Sequence, residues 1–373
     1  MTAEDSFPVD SVPSLAAASD SVSRRIAEDL VALAPPGWHE MQAVFALTAV
    51  SESASVFFAD EQGNPVQALP SEEVLAMVRR HREASAALPG GPWWRLLVSA
   101  SASGEIVAEP DFGDEPFPDD HLWPPEVYRA DLEAYPRTRL PVWLAAYIRH
   151  EDRQSRPPEQ AAEQARAATL PPGIETTLPT LPLLVMRWAA LAAAFVAARS
   201  PWGPRVLPAL GLFEGAERSG SSLWLVPGDR AVLSGGVWND PALDAVYNTG
   251  APMPDLYAGA PGWVSNQLLN PRAGAGLLSF CYWWEGGRWY RGAAPSAGEV
   301  AAAIPAVWTG ESAADIIASL AEEAGIGARN AAMELVLAAE HGQAERSMLV
   351  RLFGEQGDVD GALQQLLMAG AAG

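Results

Sequence analysis

The chain carries one cysteine, Cys281, and that scarcity excludes an intrachain disulfide and any zinc site built on cysteine pairs. Such cysteine usage suits a reducing compartment, so the cytoplasm is the expected location. Positive charge is also scarce. With 24 basic against 46 acidic side chains the formal charge is −22, a surface that repels phosphate backbones and anionic lipid and steers basic partners toward itself. Nucleic acid and membrane surfaces are therefore not expected as partners. Residues 1–20 hold acidic, Ser, Ala and Pro residues where an export signal needs a basic start and an apolar run, and they read as a mobile leader. Long apolar runs are missing except at residues 181–198 (LPLLVMRWAALAAAFVAA). Arg187 interrupts that run and alanine supplies much of it, so a buried core helix is expected there and not a membrane span.

Catalytic signatures are missing too. The sequence has no GxSxG elbow, no GxxxxGK[ST] phosphate loop, no HExxH and no GxGxxG set between a strand and a helix. The glycines of residues 271–276 (PRAGAG) precede an apolar strand pattern and not a helix start, which argues against a nucleotide loop. The five histidines, His39, His81, His121, His150 and His341, are scattered without metal-ligand spacing. His121 adjoins Asp119 and Asp120, which leaves open a metal or acid-base group beside the plainer reading of a solvated loop histidine. Cys281 lies within an apolar aromatic strand, the setting of a buried inert thiol. Neither a cofactor nor a metal is expected.

What is present is core material. The 373 residues are 49% hydrophobic with 14 Trp, enough for two domains that each bury a core. Val22, Ile26, Leu30 and Leu33 share one helical face, stopped by Pro35, Pro36 and Gly37. Residues 38–59 are β-branched, aromatic and small, read as two strands, and end in the turn chemistry of DEQGN at 60–64. Helical spacing returns through Val74, Leu75, Val78 and Arg82. Beyond the break at 89–92 lies a strand pair, WWRLLVSA (93–100) and GEIVAE (104–109), and then helices at 124–134 and 140–150. The order predicts an α+β domain over 21–150, an antiparallel sheet covered on one face by helices. Residues 151–180, without aromatics and rich in Glu, Gln, Arg, Ala and Pro, read as a linker. Residues 181–373 read as a second α+β domain: the apolar helix, short strands near 210–214, 222–226 and 231–237, a hairpin around WWEGG (283–287) flanked by 276–282 and 288–291, and a helical tail.

The segment at 109–123, EPDFGDEPFPDDHLW, stands apart. Its carboxylates Glu109, Asp111, Asp114, Glu115, Asp119 and Asp120 include no basic residue among them, while Phe112, Phe117, Leu122 and Trp123 are interleaved and three prolines stiffen the backbone. Aromatic anchors in a rigid acidic frame suit a basic protein partner, and Asp111, Phe112, Asp114, Glu115, Phe117, Asp119, Asp120 and Trp123 are the candidate contact residues. A plain solvated loop fits the same composition. Calcium would suit so many oxygens, but the spacing of an EF-hand and its closing Glu are absent.

In chain order, RRIAEDLVALAPPGWHEM (24–41), VFFADEQGNPV (56–66), WWRLLVSASASGEI (93–106) and DFGDEPFPDDHLWPPEVYRADLEAYPR (111–137) form a pattern that resembles the YezG-type immunity and antitoxin family. Asp111, Phe112, Asp114, Glu115, Pro116, Tyr128, Trp143 and Leu144 match it in order. Gly113 stands where the pattern carries an aromatic residue or Asp, which predicts a loosely held first carboxylate. The resemblance covers residues 20–150 and implies a non-catalytic protein that neutralises a cognate polymorphic toxin, often a nuclease or an NAD-degrading effector, by direct binding. It implies nothing firm for 181–373. Two other readings stay open there: an unrecognised enzyme or toxin-like domain with Asp229, Arg230, Asn239, Asp240 and Asn266 as candidates, and a scaffold of a secretion locus with Trp283, Trp284, Trp289 and Tyr290 as an exposed docking edge, against a hairpin simply packed on the helical tail.

Overall fold

The computed structural model describes residues 12–88, 90–167, 171–323 and 325–373. The chain is α+β and divides into two compact units at Ile148 and Arg149, each with its own antiparallel sheet.

In the first unit, α1 (Val12–Val31) leads to β1 (Trp38–Leu47), β2 (Glu52–Asp60), β3 (Pro65–Ala68) and α2 (Glu72–Ser85). There follow β4 (Arg95–Ser101), β5 (Ile106–Asp111), α3 (Pro125–Ala134) and α4 (Val142–Arg149). The expected leader falls partly on residues 1–11, outside the described residues, while 12–20 belong to α1, whose Ser- and Ala-rich first half hides the helix from an apolar-period reading. The sheet order is β3-β2-β1-β4-β5. Register sets Met41 opposite Phe58 and Ala100, and Ala43 opposite Val56 and Val98, so alternate residues of these strands share one buried face. Ile26, Ala27 and Leu30 of α1 and Val74 and Val78 of α2 close the core over it. The opposite face carries Phe57 and Val107, both exposed.

Asp60 closes the β2–β3 hairpin as expected, its carboxylate accepting from the amides of Gln62 and Asn64 at 3.0 and 2.9 Å. Within the core, the Trp93 indole donates to His81 Nδ1 (3.0 Å), and His81 Nε2 lies 3.0 Å from Ser23 Oγ. Because an indole can only donate, Nδ1 is an acceptor and Nε2 carries the proton. The ring is thus in the wrong tautomer to take a proton from Ser23, and the Ser–His pair is structural.

The second unit begins at Arg149 and takes in the expected linker. Residues 151–180 contribute α5 (Pro158–Ala167) and β6 (Gly173–Glu175), which pairs with a strand of the second sheet. Glu175 explains the order: its buried carboxylate accepts from the amides of Thr177 (2.7 Å) and Ala297 (3.1 Å) and lies 3.6 Å from Arg291. Residues 168–170 fall outside the described residues. After α6 (Leu181–Ala197) come β7 (Gly203–Leu207), β8 (Leu210–Glu214), β9 (Gly220–Val226) and β10 (Arg230–Gly236). The chain continues through α7 (Pro241–Asp244) to β11 (Phe280–Glu285) and β12 (Arg288–Arg291). The tail is α8 (Gly310–Leu320), α9 (Ile326–Glu340), α10 (Arg346–Phe353) and α11 (Val359–Ala369). Sheet order is β6-β12-β11-β10-β9-β8-β7.

Helix α6 is the core helix expected from 181–198, and among the described residues no helix is long and apolar enough to cross a membrane. Its alanines at 189–194 are buried, and Arg187 is held by Glu340 (2.6 Å) and the carbonyls of Val307 and Trp308. Trp188 lies so close to Gly211 that a Cβ there would sit 2.9 Å from the indole. The aromatic hairpin turns through Gly286 and Gly287 at φ 59° and 77°, the left-handed pair a two-residue turn requires. Its first strand runs through Trp283 and Trp284, beyond the expected end near residue 282. Trp283, Trp284 and Trp289 are buried and Tyr290 half-buried, so the hairpin is core and the exposed docking edge is corrected.

Burial raises the Cys281 thiol and, with it, the phenols of Tyr257 and Tyr282. In the unfolded chain these titrate near ~8.5 and ~10. The folded form keeps a proton the unfolded chain has lost, so stability is full below the unfolded values and falls as pH rises past them. Cys281 alone is expected to remove about 2 kcal/mol between pH ~8.5 and ~10. Denaturant unfolding across that range reads it, with the native thiol inert to alkylating reagent at pH ~8 and reactive after unfolding. A flat stability profile with rapid native labelling would contradict it.

Candidate functional site

The acidic segment leaves the end of β5 and returns toward α3, and its shape follows from one ion pair. Arg95, on the outer face of β4, faces Asp111 across the strand pair and binds its carboxylate at 2.5 Å. The other carboxylate oxygen accepts from the amide of Gly113 at 2.8 Å. The first carboxylate is therefore held firmly, against the expectation from glycine at 113. Gly113 sits at φ 79°, and a Cβ there would meet Phe117 at 3.1 Å. The Trp143 indole then donates to the Gly113 carbonyl at 2.7 Å.

Phe117 is 4% exposed and cannot anchor a partner, a second correction. It packs edge-on against Trp143 with centroids 5.2 Å apart and stacks near Tyr128, while the Arg95 guanidinium lies 4.8 Å over its ring. Asp111 and Phe117 thus build the platform. Phe112 is half-buried against the core of the first unit. Trp123 is half-buried, its amide donating to the Tyr128 hydroxyl at 3.2 Å and its carbonyl accepting from Tyr147 at 3.0 Å. Burial pushes the Tyr128 phenol up to about 12. Asp114, Glu115, Asp119 and Asp120 remain on the surface, raised on this frame.

Sequence reasoning missed the cations beneath. Arg137 stacks 4.0 Å from the Trp94 ring centroid and donates to the carbonyls of Gly90 and Pro92, and burial lowers its pKa to about 10. Arg95 was visible as a charged residue in an otherwise apolar strand, which marks an outer-face position. His121 faces the Arg95 guanidinium at 3.2 Å. Since arginine only donates, His121 Nδ1 accepts, and Asp120 lies farther off at 3.9 Å. That geometry makes His121 a brace for the loop. Among the described residues, no group of three or more His, Cys, Asp or Glu is arranged to hold a metal ion.

The second-unit candidates are not brought together. Asp229 forms the β9–β10 turn at φ 53° and accepts from the Trp284 indole at 3.2 Å. Arg230 donates to the Pro227 carbonyl, Asn239 is a left-handed turn residue, Asp240 caps α7 and Asn266 caps a short 310 turn. A concavity of about 550 Å³ in this unit is lined by Arg156, Asp255, Tyr257, Ser265 and Arg291. Its charges are already paired, Arg156 with Asp255 at 2.7 Å and Arg291 with Glu175 at 3.6 Å.

Neither a family model nor a curated protein matches this chain.

Proposed function

We propose that this is an immunity protein, acting in the cytoplasm without cofactor or catalysis, that neutralises a cognate toxin by binding it through the acidic surface of residues 21–150. The observation that carries the reading is the arrangement of the 109–123 segment. Its internal carboxylate and aromatic ring, Asp111 and Phe117, are spent on holding the loop, while Asp114, Glu115, Asp119 and Asp120 stand exposed. A preorganised acidic surface costs little ordering on binding and attracts a basic partner over a Debye length, about 8 Å at physiological salt. The net charge of −22 reinforces the same sign. The resemblance to YezG-type immunity proteins supports the reading, because the matched residues Asp111, Tyr128 and Trp143 meet in that platform.

The contact residues are accordingly narrowed to Asp114, Glu115, Asp119 and Asp120, with Phe112 and Trp123 at the margin. A tagged full-length chain co-expressed with a toxin encoded beside its gene is expected to retain that toxin through purification at moderate salt and to release it at high salt. Failure to retain any neighbouring toxin at low salt would remove the reading.

A further inference from the structure

A sheet edge is an open row of donors and acceptors unless the fold blunts it, and the two sheets expose four such edges. Three are blunted. Along an antiparallel strand, successive residues turn their main-chain groups alternately toward and away from the neighbour. In β7 the outward residues are Pro204, which has no amide, and Val206, whose amide is taken by the Gln365 side chain at 2.6 Å. In β6, three residues long, only Ile174 turns outward. In β3 the outward residues are Pro65 and Gln67, a single amide.

β5 differs. The Ser101 amide binds the Glu105 carbonyl at 2.9 Å, which fixes the phase: 105, 107, 109 and 111 face β4, and Ile106, Ala108 and Pro110 face outward. Two amides two residues apart and three carbonyls therefore face outward along one edge, and among the described residues no hydrogen bond takes either amide, although α1 packs beside the strand. The side chains alternate as well. Ile106 and Ala108 pack on the core, while Val107 and Glu109 lie on the exposed outer face that continues into the acidic segment.

We infer that the outer edge of β5 is the docking line for an extended strand of a partner protein, in which apolar residues alternate with Arg or Lys. Main-chain bonds to Ile106 and Ala108 would supply register. The partner's apolar residues extend the core beside Ile106 and Ala108, and its cations face Glu105, Glu109 and the exposed carboxylates beyond. A second copy of this chain is a poor occupant, because antiparallel β5–β5 pairing sets glutamates against glutamates on molecules of charge −22. The inference rests on the toxin-binding reading for its biological partner, but its geometry is tested separately.

The probe is a synthetic peptide of about ten residues alternating Val and Arg, against a control with the same residues in two blocks. Hydrogen exchange of the full-length chain is followed by mass spectrometry. The alternating peptide is expected to slow exchange across residues 106–111 at least tenfold more than the block peptide does. Ala108→Pro removes an outward amide without breaking the ladder and should abolish that protection, while Ala108→Val retains it. Glu109→Arg, which leaves every main-chain group in place, should weaken binding tenfold and keeps the test valid where the proline variant misfolds. Equal protection by both peptides, or protection unchanged in Ala108→Pro and Glu109→Arg, overturns the inference. So does slowed exchange at 106–111 that grows with protein concentration alone, which would make a second copy the occupant. A neighbouring toxin bound equally by wild type and Ala108→Pro would reject this edge and leave the immunity reading standing. Peptide docking with no toxin bound would do the reverse.

Discussion

Arg82→Ala is expected to destabilise the first unit by about 3–5 kcal/mol, the cost of leaving a buried charge without its partner. Arg82 and Asp131 are both buried, and the guanidinium meets the two carboxylate oxygens at 2.7 and 2.9 Å. Arg82 also donates to the Trp93 carbonyl at 3.0 Å, and Asp131 accepts from the Ala49 amide at 2.6 Å. The pair thereby ties α2, the start of β4, the β1–β2 turn and α3 together. Burial pushes the Asp131 carboxyl above its ordinary value, and Arg82 and the Ala49 amide oppose that push. Without Arg82 the carboxyl holds its proton to higher pH than in the unfolded chain. Stability of the variant is then best at acid pH and falls as pH rises through the unfolded value, so the deficit should be larger at pH ~8 than at pH ~5. Two compact units need not unfold in one transition, so the measurement is hydrogen exchange of the β1 and β4 amides. Arg82→Met with Asp131→Leu should recover most of the loss. A deficit below about 1 kcal/mol in the single variant would show that the pair is not what joins these elements.

Reversing Asp114, Glu115, Asp119 and Asp120 to Lys together is expected to cut the association rate with the toxin by about 10- to 1000-fold at low salt, with a smaller change in dissociation. All four are exposed, and the Asp111–Arg95 pair and the Phe117 packing involve none of them, so that frame is expected to stay in place. The wild-type rate should fall steeply with ionic strength, because exposed charges are screened beyond a Debye length. The variant should lose most of that slope. Stopped-flow association across a salt series separates the outcomes: an unchanged rate and slope would move the interface off this segment, and a loss of folded protein would make the carboxylates structural.

How far the sequence carries depends on whether a residue's role is local. Alternation along β1, β2 and β4, the DEQGN turn and the Gly286–Gly287 hairpin were legible because their signals lie within a few residues. The short strands β3, β6 and β7 were not, since each is defined by its neighbour across the sheet and not by its own pattern. Glu175 looked like linker composition and is an internal acceptor, a role fixed by Ala297 more than a hundred residues away. The acidic segment was legible as composition, but its division of labour was not. Asp111 and Asp114 look alike in sequence; only the arginine across the strand makes one structural and leaves the other on the surface. The chain has no lysine, so each buried cation is a planar guanidinium able to divide its donors between a carboxylate and main-chain carbonyls, as Arg82 and Arg187 do.

The central claim is that the exposed carboxylates of this segment receive a toxin. Growth of cells expressing a toxin encoded beside the gene, with wild type or with the Asp114, Glu115, Asp119 and Asp120 reversal supplied in trans, tests it most directly. Restored growth with wild type, lost with an equally abundant and folded variant, is the predicted result. No protection by wild type against any neighbouring toxin, or full protection by the reversed variant, would contradict it.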